Sequence, residues 1–159
     1  MRKHILIVMT VILVLALATV AMAADPFVGT WKLNLAKSKF NPGPPPRSLT
    51  RTCEDRGGGV IHVTFEGIDP QGNRIFQQWA AKYDGKDYPV QRLGAKTVIS
   101  ISIKATNAYT AEHIFKEDGK LTTTSTLTIP KNGKTMTINQ KNRNAQGQQV
   151  NNIIVFDKQ

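Results

Sequence analysis

The sequence predicts an all-β protein, an antiparallel up-and-down meander that closes into a single barrel of about eight to ten strands. Three observations support this prediction. Apolar residues alternate with polar ones in segment after segment beyond residue 24, which is typical of strands with one buried face. Turn signals separate these segments. No window in the same region repeats its apolar residues at helical spacing, so we expect no substantial helix there.

The first half of the chain supplies five predicted strands. Residues 30–35 place Trp31, Leu33 and Leu35 on one face. The Pro-rich stretch 41–46 interrupts regular structure, because proline cannot donate a ladder hydrogen bond. Tyr83-Asp84-Gly85-Lys86 is a hairpin signal. The remaining strands of this half are predicted at residues 48–55, 60–66 and 74–83, with a short one at 88–90.

The second half repeats the pattern, with turn signals at Asp118-Gly119 and Asn132-Gly133. Tight turns make neighbouring strands antiparallel, because parallel neighbours need long crossovers. Closure into a barrel buries the apolar face of each strand and removes exposed edges. The strands of this half are predicted at residues 97–104, 109–116, 121–129, 135–143 and 149–157.

The N-terminus has the features of an export signal. A basic start, Met1-Arg2-Lys3-His4, precedes an apolar run and the small-residue pattern Ala21-Met22-Ala23. This pattern predicts a signal peptide over residues 1–23, a barrel domain over 24–159, and a periplasmic or extracellular location. The alternative is an uncleaved anchor, since the run is long enough to span a bilayer.

Composition narrows the function classes. The 159 residues, with 21 Lys and Arg, 11 Asp and Glu and a net charge of +10, suit one domain rather than a two-domain enzyme. The bases are scattered rather than clustered with aromatics, which argues against a nucleic-acid partner. They could aid loose contact with an anionic cell envelope, or merely solvate the surface. Cys53 is the only cysteine, so we expect no disulfide framework. We expect its thiol to be buried, the alternative being an intermolecular disulfide or other thiol chemistry, and we also expect a monomer.

Both ends of the predicted barrel carry a family resemblance. Phe27-Val-Gly29-Thr-Trp31 resembles the Gly-x-Trp start of lipocalins and fatty-acid-binding proteins, and Val155-Phe-Asp-Lys158 resembles the last strand of the latter. The segments 33–40 and 83–89 are similar to small exported bacterial lipocalin-like proteins. The resemblance implies a calycin barrel that holds a small apolar ligand, with Gly29 and Trp31 as its structural signature.

Two features depart from that family. The Pro-rich stretch 41–46 leaves no room for the two-helix lid of fatty-acid-binding proteins. Their carboxylate clamp aligns here with Ile154 and Phe156, so fatty-acid binding is not carried over. The family also places a basic side chain over the first-strand tryptophan, a role open here to Arg143 or Lys158. We expect Trp31 to pack at the barrel end.

No motif of a metal site, cofactor or catalytic group is present, so none is expected. Alternation places His62 outward and His113 inward. The inward face holds more polar residues than a packed core needs, and these orient a ligand, bond one another or meet water. Ser125, Asn142 and Arg51 belong to this group. The candidate cavity-facing residues are Gln77, Trp79, Tyr83, Tyr109, His113, Gln140 and Asn152.

These observations predict a non-catalytic binder of a small apolar or amphipathic molecule inside the barrel. An alternative is a filled barrel that contacts the cell envelope through its basic surface. A third hypothesis is an enzyme with His113 and Tyr109 as its acid–base pair.

Overall fold

Ten antiparallel strands form a closed barrel in the computed structural model, which describes residues 24–143 and 147–159. Each strand pairs with the next along the chain, and the first pairs with the last to close the barrel. The predicted fold is therefore confirmed, whereas the predicted signal peptide lies outside the described residues. The strands are β1 (Gly29–Leu33), β2 (Ser48–Asp55), β3 (Val60–Ile68), β4 (Arg74–Lys82), β5 (Asp84–Arg92), β6 (Ile99–Asn107), β7 (Thr110–Glu117), β8 (Lys120–Thr128), β9 (Thr135–Arg143) and β10 (Gln149–Lys158).

Strand β5 is the element that differs most from its prediction. It spans Asp84–Arg92 rather than residues 88–90 alone. Its first four residues lack apolar alternation, but the strand pairs with β6 from Asp84 to Val90. Backbone pairing with a neighbour therefore extends a strand that side-chain pattern alone marks only in part.

The described residues contain little helix. A single 3-10 turn, Leu35–Lys37, follows β1, and the Pro-rich stretch 41–46 lies outside the strands as predicted. Within residues 24–143 and 147–159 there is no helix with the length and apolar character that crossing a membrane requires.

The two ends of the barrel differ. The turns after β2, β4, β6 and β8 lie at one end, together with residues 25–28, and we call this the closed end. The other connections lie at the opposite end, called the open end. The closed end is filled by buried side chains from several strands, among them Phe27, Trp31, Ile129 and Met136. Residues 25–28 are held over it because the Tyr83 hydroxyl donates to Asp25 Oδ2 at 2.8 Å.

Trp31 is the centre of the closed end. It is fully buried, and its Nε1 donates to the Phe27 carbonyl oxygen at 3.0 Å. The Lys158 Nζ lies 4.9 Å from the centroid of its ring, so Lys158 rather than Arg143 provides the cation over this tryptophan. Gly29 has φ +132°, and a Cβ there would lie 2.9 Å from Lys158 Cε. The spacing Gly29-x-Trp31 thus gives the lysine stem room beside the ring.

Candidate functional site

A cavity of about 240 Å³ occupies the barrel between its middle and the open end. Leu49 and Ile75, its lining residues nearest that end, are only half-buried, so the cavity opens there. Most of its wall is aliphatic or aromatic, as is usual for a small-molecule site. The lining residues are Leu49, Phe65, Ile75, Gln77, Trp79, His113, Phe115, Ser125, Leu127, Ile138, Gln140, Ile154 and Phe156.

One side of the cavity is an aromatic cluster around Trp79. The ring of Phe65 stacks on Trp79 with centroids 5.7 Å apart, and Phe115 meets it edge-on at 5.6 Å. Trp79 is 3% exposed, yet its Nε1 has no hydrogen-bond partner. An unpaired buried donor costs about 1–3 kcal/mol, so this indole lowers the stability of the barrel.

The other side carries a row of polar side chains on four neighbouring strands. His113, Ser125, Gln140 and Asn152 lie directly opposite one another across β7, β8, β9 and β10. Residues paired in this way share one face of the sheet. Asn152 Nδ2 donates to Gln140 Oε1 at 3.1 Å, and Asn152 Oδ1 accepts from the Asn41 backbone N–H at 3.0 Å. The row therefore has a fixed end at Asn152 and an unbonded end at His113.

His113 is buried and neutral. It is 4% exposed, and no group in the described part of the chain hydrogen-bonds its imidazole. Burial, and then the positive charge of Arg51, lower the pKa of His113 to about 3. At neutral pH its ring therefore offers one N–H donor and one nitrogen acceptor to a molecule in the cavity.

The sequence-predicted site residues fall into two groups. Gln77, Trp79, His113 and Gln140 line the cavity, and Asn152 adjoins it through its hydrogen bond to Gln140. Tyr83 and Tyr109 instead line a separate groove at the closed end. Strand β7 begins at Thr110, one residue later than predicted, so Tyr109 lies in the hairpin turn and is 38% exposed. The acid–base pair hypothesised from His113 and Tyr109 is thus divided between two sites.

Sequence reasoning missed the arginine at the cavity mouth. Arg92 Nε donates to Gln77 Oε1 at 2.7 Å, and Arg92 Nη1 donates to Glu117 Oε1 at 2.7 Å. These contacts fix the Gln77 amide at the rim. The signal was available in principle, since Arg92 is in phase with the buried Val90, but β5 was predicted too short to include it. Phe65, Phe115 and Leu127 also line the cavity, and strand alternation places each of them on the inward face.

The described residues offer little for metal or acid–base chemistry. No group of three or more His, Cys, Asp or Glu within residues 24–143 and 147–159 could hold a metal ion. His62 lies on the outer face with Nδ1 3.5 Å from Glu54 Oε2. The arrangement inside the barrel is suited to enclosing an apolar body and orienting it by hydrogen bonds.

Two solved structures are similar to this chain in fold. One is the structure of EF1p2_mFAP2b bound to DFHBI, with a TM-score of 0.50, 9% sequence identity and coverage of 86% of this chain and 97% of that chain. The other is a redesigned β-barrel, mFAP1, bound to DFHBI, with a TM-score of 0.46, 12% identity and coverage of 86% and 98%. No model of a protein family matches the chain, and no curated protein matches it. At 9% identity the first likeness concerns the fold alone.

Proposed function

We propose that this protein binds a small, partly apolar molecule in the cavity of its barrel and does not act on it chemically. The observation that carries the proposal is an apolar cavity whose wall includes two buried polar residues, Trp79, whose N–H has no hydrogen-bond partner, and the neutral His113. A barrel built for stability alone has no need of them, because each lowers stability while it is unpaired. A ligand acceptor near Trp79 removes that cost.

The cavity volume limits the size of the ligand. Apolar protein cavities of about 150 Å³ hold one benzene molecule, so 240 Å³ suits one ring with substituents. Long acyl chains exceed this volume, which agrees with Ile154 and Phe156 standing where the family clamp would lie. For a ligand of this size we expect dissociation constants on the order of 10–1000 μM. The first similar structure has DFHBI bound, so a barrel of this fold is compatible with a small aromatic ligand.

The test is a titration with 4-nitroanisole, a neutral substituted benzene that quenches tryptophan fluorescence. We expect saturable quenching, because Trp79 lines the cavity. Ser125→Leu fills the cavity from β8 and should abolish saturation. The matched control is Thr126→Leu, the next residue on the same strand, whose side chain alternation places outside. Equal binding by the two variants, or none by the unchanged protein, would sink the proposal.

The sequence also supports export, and we propose that residues 1–23 are removed before the barrel reaches the periplasm or the cell exterior. The basic start, the apolar run and Ala21-Met22-Ala23 are the grounds for this proposal. Intact-mass measurement of protein from the cell envelope tests it. A mass beginning at Ala24 is expected, whereas a mass that retains Met1 would favour the membrane anchor.

A second candidate function is docking on an anionic lipid surface by the open end. Leu93, Val98 and Leu121 are the most exposed large apolar residues described, at 58%, 76% and 61%, and all three lie in or beside loops of that end. Lys96, in the loop before β6, and Lys120, the first residue of β8, are exposed at the same end. Asp118 joins the loops, since its Oδ1 accepts from the Val98 N–H and its own N–H donates to the Val98 carbonyl oxygen. Apolar tips among lysines match the chemistry of an acidic membrane surface.

Vesicle flotation tests this candidate. Binding is expected to vesicles that contain phosphatidylglycerol and to be lost in pure phosphatidylcholine. Replacing Lys96 and Lys120 by Gln should weaken it severalfold, while the same change at Lys131 and Lys134 of the closed end should not. If both double variants weakened vesicle binding equally, the net charge of the protein would explain the binding, and the open end would not be the docking surface.

A further inference from the structure

Arg51, on β2, carries a buried charge with almost no partners. It is 1% exposed, and its one hydrogen bond to backbone runs from Nη1 to the Phe27 carbonyl oxygen at 3.4 Å. Its Nε and Nη2 atoms have no partner. No carboxylate in residues 24–143 or 147–159 lies within salt-bridge distance of it. Such a group is costly to bury unless an opposite charge balances it.

None of the ionisable groups around Arg51 in the described residues forms a salt bridge with it. Burial raises the pKa of Cys53 and of Tyr83, so both are neutral at neutral pH. His113 is neutral as well, because its pKa is lowered to about 3. Asp25 is the acid of this group, but its carboxylate lies beyond salt-bridge distance of Arg51 and accepts instead from the Tyr83 hydroxyl and the Phe27 backbone N–H.

The closed end adds a further cation on the same side. Trp31 is the β1 partner of Arg51 in the sheet, and Lys158 lies over the Trp31 ring. The Asp157 carboxylate next to it is bonded to Asn34 and Lys37. Arg51 and Lys158 therefore place two cations near Trp31.

This charge lies directly behind the cavity wall. Leu49, two residues before Arg51, and Phe65, its partner on β3, both line the cavity. The guanidinium carbon is 6.0 Å from the centroid of the Phe65 ring, and that ring stacks on Trp79. Across a single layer of aromatic side chains, in a weakly polar interior, a unit charge acts on a bound molecule with little screening.

We propose that the cavity selects the anionic form of a small acidic aromatic molecule, with Arg51 supplying the balancing positive charge. This inference rests on the proposed function and names the ligand class for it. The apolar ring lies among Phe65, Trp79 and Phe115, and the negative charge lies toward the Arg51 side. Neutral molecules of the same shape still enter the cavity but lack the electrostatic attraction to Arg51.

The test uses 4-nitrophenol, whose phenolate is yellow and whose phenol is colourless. The pKa of the bound phenol is read from absorbance over a pH series at saturating protein. Burial raises the pKa of a phenol, so the Arg51 contribution is measured as a difference: the pKa of bound 4-nitrophenol should be about 1 lower in the unchanged protein than in Arg51→Met. Arg51→Met should still bind neutral 4-nitroanisole. Arg74→Met is the matched control, because Arg74 is exposed and already pairs with Glu66 at 3.1 Å, and it should leave the pKa of bound 4-nitrophenol as in the unchanged protein.

A second measurement needs no variant, so it holds if Arg51→Met fails to fold. Benzoate and benzamide have nearly the same shape, and in the unchanged protein benzoate should displace 4-nitroanisole at about a tenfold lower concentration. Equal displacement by benzoate and benzamide, or the same pKa of bound 4-nitrophenol in the unchanged protein and in Arg51→Met, would overturn the anion proposal and leave the binding function standing. Failure of 4-nitroanisole itself to bind would overturn the proposed function instead.

Discussion

Trp31 and Trp79 are both buried in the same barrel, yet their surroundings differ in one decisive respect. The Trp31 N–H is bonded to the Phe27 carbonyl oxygen, and Lys158 lies over its ring. The Trp79 N–H has no partner and the residue borders the cavity. The tryptophan of the closed end thus has its N–H bonded, whereas the tryptophan beside the cavity leaves a buried donor unpaired.

Replacing each tryptophan by phenylalanine should give the largest difference in the free energy of unfolding. Trp31→Phe removes a bonded N–H, weakens the cation–π contact and leaves a cavity, so we expect a loss of about 3 kcal/mol in the free energy of unfolding. Trp79→Phe removes an unpaired donor next to space that is already empty, and the expected change is below about 1 kcal/mol. Urea denaturation measures both values.

The two variants should also differ in ligand affinity. Trp79→Phe should weaken 4-nitroanisole binding severalfold, because the nitro oxygens lose a donor, and Trp31→Phe should leave the affinity of the folded fraction unchanged. If the two variants lost equal free energies of unfolding, the distinction between the packed tryptophan of the closed end and the tryptophan beside the cavity would be wrong.

Acid should destabilise the folded protein through His113, which lines the cavity. Its pKa falls from an ordinary value of 6.5 to about 3 in the folded protein. The unfolded chain therefore binds the proton first, so the stability is fully present above pH 6.5 and is lost as the pH falls toward 3. By about pH 4.5 we expect a loss on the order of 2 kcal/mol, which thermal unfolding across a pH series detects.

His113→Phe should flatten that pH dependence, while Ser125→Ala, at the next position of the polar row, should leave it intact. The lowered carboxyl pKa of Asp157 acts in a lower window, below its ordinary value of 3.8, so the two contributions are separable. An unchanged slope in His113→Phe would show that another group takes up the proton.

The fold was predictable because strand alternation depends on which face is buried and not on the partner strand. The β5 boundary was not predictable in this way, since its first half is ordered by pairing with β6 rather than by its own apolar residues. The one-residue shift at Tyr109 had a large consequence, because it placed the side chain in a turn and removed it from the inward face.

The site was predictable only in part for a related reason. Alternation marks His113, Gln140 and Asn152 as inward, but their alignment in a single row depends on the register of three strand pairs. Register is a property of the assembled sheet. The pattern of one strand also cannot show that the Trp79 N–H and two nitrogens of the Arg51 guanidinium lack hydrogen-bond partners. Partners for these groups would come from other strands, so their absence is visible only in the assembled barrel.

A cation over an aromatic ring should stabilise the fold more at the closed end than at the open end. Lys158 lies 4.9 Å from the centroid of the buried Trp31 ring, whereas Arg74 lies 5.3 Å from that of Phe76 and pairs with Glu66 in an exposed site. We expect Lys158→Met to cost about 1 kcal/mol and Arg74→Met less than about 0.5 kcal/mol. Denaturation in low and high salt distinguishes them, and equal costs would contradict the difference in burial.

The smallest stability effect is expected at the cavity mouth. The Arg92–Glu117 pair is 2.7 Å long but both side chains are about one-third exposed, so a double-mutant cycle with Arg92→Met and Glu117→Gln should give a coupling of about 0.5 kcal/mol. The effect on binding should be larger, because Arg92 also holds the Gln77 amide at the rim. Without that contact Gln77 is free to turn into the opening, and we expect slower association of 4-nitroanisole with an unchanged dissociation rate. A change in dissociation alone would place Gln77 on the bound ligand and make the mouth part of the binding site itself.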